Sequence, residues 1–177
     1  MDTSGFVPPP LPPWTHDRHV AALHDALAHV MADALSLTAL ASFAYWNTVD
    51  SVHESFSAVL RGRVAAGRRG QDVIARRMRA LGGPVMLHPT DPSEVPRWML
   101  AGQSADPLSE TVLLAAGTQE FVRSIEATVE VAREVPDRAC MRVMSRMQRN
   151  ETNACIRLQE LASAIAESTI VSRPSAH

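Results

Sequence analysis

Residues 51–84 read SVHESFSAVLRGRVAAGRRGQDVIARRMRALGGP. Ser51-Val52-His53-Glu54 has the form of a capping box, in which a serine and a glutamate three residues later satisfy free backbone donors at a helix start. A periodic stretch follows to Leu81, and Gly82-Gly83-Pro84 stops it, since glycine takes the left-handed turn past a helix end and proline cannot continue the ladder. The segment predicts one long helix with both ends marked.

Toward the N-terminus, Val20, Leu23, Leu27, Val30, Met31, Ala34, Leu35 and Leu37 recur at helical spacing from about His16 to Tyr45, behind a Thr15 cap. Residues 47–50 interrupt that first helix. Toward the C-terminus, Pro84, Pro89, Pro92, Pro96 and Pro107 break the chain, and only Glu94 to Ala101 looks locally helical. A third helix from about Ser109 to Glu134 ends at Pro136-Asp137, and a fourth runs to about Ser168. Four long helices, two short turns and one long crossover holding a short helix predict an all-α, ferritin-like four-helix bundle.

The chain has 177 residues, enough for one domain with a full core. Residues 1–15 carry five prolines and read as an extended arm, 16–168 as the bundle and 169–177 as a tail. No run of about 18 uncharged apolar residues occurs and the start, MDTSGFVPPPLPPW, lacks a signal-peptide pattern, so a soluble cytoplasmic protein without a membrane partner is expected. Cys140 and Cys155 fall in one helix, on the order of 22 Å apart, too far to pair within the chain. The net charge of -2 excludes a globally basic nucleic-acid binder, and all 17 basic residues are arginine.

Three short elements add a family resemblance: Tyr45-Trp46-Asn47 closing the first helix, Leu81-Gly82-Gly83 closing the second, and Pro136-Asp137-Arg138-Ala139-Cys140 opening the fourth. In that order, and with the interval from Trp46 to Gly82, the chain resembles the bacterial Dps proteins of the ferritin superfamily over roughly residues 16 to 168. Glu151 stands near an acidic position of the family's last helix. The resemblance implies a hollow homo-oligomeric shell, a dodecamer, for iron storage and stress response. It also implies an iron-binding ferroxidase site between two subunits, built from two histidines and an aspartate of one chain with an aspartate and a glutamate of its mate. Those places hold Tyr45, Ser57, Arg61, Asp72 and Arg76. Only Asp72 is an ordinary ligand, and arginine cannot lose its charge to bind a cation, so the inherited site is degenerate and enzymatic activity is left open. Arg61 is instead expected to pair with Asp72 of a second copy across the two-fold axis.

Asp50, His53 and Glu54 have the i, i+3, i+4 spacing of a displaced metal site, with iron the metal the resemblance implies, although Asp50, Ser51 and Glu54 serve equally as helix caps. Met141, Met144 and Cys155 share one helical face suited to copper, but methionine at such spacing is usually core, so copper is disfavoured. His16, His19, His24 and His29 scatter around the first helix and read as surface histidines. Seven arginines between residues 61 and 79 raise nucleic acid as a partner, which the absence of a cationic tail disfavours. Glu134 and Asp137 are candidates for lining pores of a shell. Two functions follow: a Dps-like shell for iron handling or stress protection, or a non-catalytic structural, partner-binding or DNA-protecting assembly without metal chemistry.

Overall fold

A computed structural model describes residues 17–48, 54–86, 106–135 and 137–171. These form four helices: α1 (Arg18–Thr48), α2 (Glu54–Ala80), α3 (Pro107–Glu134) and α4 (Arg138–Val171). No strand occurs among the described residues. The expected short helix at residues 94–101 and the proline-rich arm lie outside them, as do Asp50 and His53.

Local chemistry sets the helix ends. At α1 Asp17 acts as a cap: its Oδ1 accepts from the backbone N–H of His19 at 2.9 Å and of Val20 at 3.3 Å, while the expected cap Thr15 lies outside the described residues. Asp106 caps α3 by accepting from Ser109 N at 3.0 Å, with Pro107 in the first turn, where its missing N–H costs nothing. Asp137 caps α4 by accepting from Ala139 N at 3.0 Å and Cys140 N at 2.9 Å.

α2 ends as its sequence predicts, with Gly82 at φ 86° in the left-handed region. Gly83 is needed for a second reason, because a side chain there would collide with the ring of His24. That ring, 1% exposed, hydrogen-bonds through Nε2 to the carbonyl oxygen of Pro84 at 2.8 Å. His24 is therefore a buried histidine that ties α1 to the end of α2. The expectation of four surface histidines fails at this position, because the closeness of a distant glycine turn is not visible in helical spacing.

α1 packs on α2 and α3, and α3 packs on α4. Thr128 donates to Ala26 O at 3.4 Å, while Phe121 lines a small void with Ala34 and Leu37, so α1 and α3 run antiparallel. Leu23, Leu27, Phe56, Leu60, Ile74, Met78, Leu114, Ile125, Met144 and Leu158 are fully buried on their facing stripes. Leu35, expected in the α1 stripe, is 37% exposed at its edge. α1 is also the one described helix long and apolar enough to cross a membrane, and its place as the central core helix accounts for that composition. α2 and α4 touch only sparsely, which leaves a groove between them.

Candidate functional site

The positions carried over from the resemblance divide into two groups. Tyr45 is half-buried and Ser57 buried where α1 and α2 meet. Arg61, Asp72 and Arg76 are exposed on α2, and none of the three has an ion-pair or hydrogen-bond partner among the described residues. Eleven residues of helix separate Arg61 from Asp72 by about 16 Å, so one chain cannot bring them together. Of the displaced candidates, Asp50 and His53 lie outside the described residues; Glu54 begins α2, and its side chain is likewise outside the description.

The bundle interior holds what the sequence reading did not single out as a site. Arg63 of α2 meets Glu151 of α4, with Nη1 2.7 Å from Oε2 and both side chains 9% exposed. The contact is close but misaligned, so among the described residues Oε2 has no hydrogen bond, and Arg63 Nε has none either. The attraction is therefore mainly coulombic in a setting where water does not screen it. Beside the pair lies a void of about 10 Å³, roughly the room of one water molecule, lined also by Thr38, Gly67 and Phe121. Gly67 lets the helices approach, because a Cβ there would collide with Thr38 Oγ1. Thr38 is itself engaged, donating to Ala34 O at 2.6 Å and accepting from Gln71 Nε2 at 2.8 Å.

A signal for this pair exists in the sequence. Phe56, Leu60, Arg63, Gly67, Ile74 and Met78 follow one stripe of α2, and Met144, Met147, Glu151, Cys155 and Leu158 one stripe of α4. One basic and one acidic residue thus stand in otherwise core-forming stripes of two helices.

Two other charged groups are internal. Arg77 pairs with Asp137, tying the end of α2 to the start of α4. The carboxylate of Asp137, a candidate for lining a pore, is engaged within the subunit by the helix cap and the guanidinium. Glu110, in the first turn of α3, is 1% exposed with neither oxygen hydrogen-bonded among the described residues. Burial, with a smaller push from Asp106, raises its pKa above the ordinary range. Among the described residues no three His, Cys, Asp or Glu side chains gather as a metal group. Met144 and Cys155 are core residues about 16 Å apart along α4, and Cys155 donates weakly to Ala115 O at 3.6 Å, so they form no joint copper site.

A dinuclear iron centre inside such a bundle takes a glutamate from each of two helices and a Glu-x-x-His pair from each of the other two. Here the void is faced by Thr38 on α1, Arg63 on α2, Phe121 on α3 and Glu151 on α4, and Glu151-x-x-Ala154 has no imidazole. One carboxylate against a fixed guanidinium does not fit two iron ions.

No family model matches the chain, and no curated protein matches it in sequence. Solved structures do match. The Dps protein of Vibrio cholerae O1, described as one of the ferritin-like diiron-carboxylate proteins, aligns with a TM-score of 0.69 at 18% identity over 81% of this chain and 91% of its own. Rhodobacter capsulatus bacterioferritin, solved with a metal-free dinuclear site, gives 0.70 at 13% identity over 89% and 97%. Dps from Microbacterium arborescens, in a high iron form, gives 0.65 at 20% identity over 83% and 97%. The chain has the ferritin-like four-helix-bundle fold of these proteins.

Proposed function

We propose that this protein is the subunit of a Dps-like homo-oligomeric shell in the cytoplasm whose role is structural and stress-protective, without iron oxidation at the inherited positions. The observation that carries the reading is the Arg63–Glu151 pair inside the bundle, which places a permanent positive charge where a ferritin-like bundle can hold metal. Arg61 and Arg76 oppose metal at the inter-subunit positions in the same way. Assembly is supported by exposed apolar side chains on α1: Phe43 and Trp46 stack edge to face at 5.5 Å while 55% and 64% exposed. In the assembly Arg61 pairs with Asp72 of a second copy, and the shell is a dodecamer as in the Dps resemblance.

The experiment is the mass of the purified protein in solution, with metal content and aerobic Fe(II) oxidation measured on the same sample. A large homo-oligomer that oxidises Fe(II) no faster than buffer is the expected result. Oxidation lost in a His53→Ala, Glu54→Ala double variant would replace this reading with a displaced iron site at Asp50, His53 and Glu54. A monomer would remove the shell, and an unchanged mass for Asp72→Ala would remove the bridge.

A further inference from the structure

The sparse contact between α2 and α4 leaves a groove of about 440 Å³ that continues into a second space of about 280 Å³. Its walls are unusual in sign. Arg69 of α2 and Arg157 of α4 line the first space, and Arg69 with Arg146 lines the second. All three are exposed and have no acidic partner among the described residues, whereas Arg63, Arg77, Arg123 and Arg133 are each paired. Among the described residues the one carboxylate in the lining is Glu151, whose charge Arg63 already offsets at the groove floor. Arg63 also has its buried Nε without a hydrogen-bond partner among the described residues.

We infer that this groove is a binding site for a linear, phosphate-rich anion of the inorganic polyphosphate type. Arg146, Asn150, Asn153 and Arg157 follow one another at steps of four, three and four residues, so they hold one face of α4 over about 16 Å. Guanidinium groups match phosphate oxygens with paired N–H donors, and the two asparagines add amide donors between them. A single free anion would leave most of that length unused. Double-stranded DNA is too broad to enter a cleft between two neighbouring helices. Single-stranded nucleic acid draws much of its affinity from bases stacked on aromatic rings, and among the described residues no aromatic side chain lines either space. Two glycines keep the floor low: a Cβ at Gly62 would meet nothing within 4 Å, and one at Gly70 only Met147 Cε at 3.7 Å. The inference rests on the lining of one subunit.

The test uses the full chain and three probes: linear inorganic polyphosphate, orthophosphate, and an oligothymidylate matched in phosphate number. Polyphosphate is expected to bind most tightly. The groove variant Arg69→Gln, Arg146→Gln, Arg157→Gln is expected to weaken it by about tenfold or more, about 1.4 kcal/mol. A charge-matched control, Arg68→Gln, Arg138→Gln, Arg142→Gln, removes exposed arginines outside the lining and is expected to change affinity by less than about twofold. Equal losses in both variants would reduce the effect to net charge and overturn the site. Oligothymidylate binding as tightly as polyphosphate would overturn the ligand class, and orthophosphate matching polyphosphate would overturn the linear ligand. Should the triple variant not fold, Asn150→Asp sets a negative charge on the same exposed face, and undiminished polyphosphate binding there would equally overturn the proposal.

Discussion

Arg63 and Glu151 meet across the bundle from α2 and α4, 2.7 Å apart and both about nine-tenths buried. Taking two charges from water costs several kcal/mol per ion, which their attraction largely offsets, so the pair fixes how α2 and α4 face one another more than it adds stability. Removing one partner strands the other. Glu151→Ala should therefore cost about 3–5 kcal/mol in chemical denaturation, while Arg63→Met with Glu151→Leu should be close to neutral. If the single variant loses no more than the double, the pair is not the coupled unit described.

Glu110 makes the opposite kind of pair-free burial. Its folded-state pKa is raised, first by burial and then by Asp106, above an ordinary value of 4.5. The folded protein thus holds a proton that the unfolded chain releases, so this contribution to stability is full below about pH 4.5 and is lost as pH rises through the folded value. Asp33, also raised by burial, acts in the same direction. Stability of the wild type minus that of Glu110→Gln should therefore fall with increasing pH from pH 4 upward. A difference that stays constant with pH would show that Glu110 ionises in the folded state as freely as in the unfolded chain.

The glycines of α2 should respond oppositely to alanine. Gly62 is exposed with open space around it, so Gly62→Ala should raise stability by about 0.5–1 kcal/mol through helix propensity alone. Gly67→Ala should lower it, because the new methyl group must displace Thr38, whose hydroxyl is held by Ala34 and Gln71. Thermal melts of the two variants separate these effects, and a shift of the same sign in both would contradict the close α1–α2 approach.

The helices were legible because apolar spacing and stop signals are local. Leu23, Leu27 and Leu37 on α1, and Gly82 past the end of α2, do what their spacing and chemistry predict. Contacts between helices were not legible. Nothing within α1 says that His24 lies on Gly83, and nothing within α2 says that Arg63, one of seven nearby arginines, faces Glu151 some 88 positions away while Arg61 faces solvent. The stripe position of Arg63 was the available sign, since an arginine three residues after Leu60 and four before Gly67 falls on the buried face. The candidate ligands Asp50 and His53 precede α2 in sequence and lie outside the described residues.

Asp137 and Cys140 provide a local test of how α4 begins. Burial and the nearby Asp137 carboxylate push the Cys140 thiol up to about 11, partly opposed by Arg77. Burial also raises Cys155. Reactivity requires the thiolate, so both cysteines should resist iodoacetamide at neutral pH in the folded protein and react once it is denatured. Asp137→Ala removes the acceptor for two backbone N–H groups and the partner of Arg77, which frays the first turn of α4 at a cost of about 1 kcal/mol or more. Labelling of Cys140 should then speed up, because local opening exposes it. Cys155, about 22 Å further along the helix, should not change. Mass spectrometry of the labelled peptides distinguishes the two sites, and equal acceleration at both would mean that Asp137 holds the whole fold rather than this helix start.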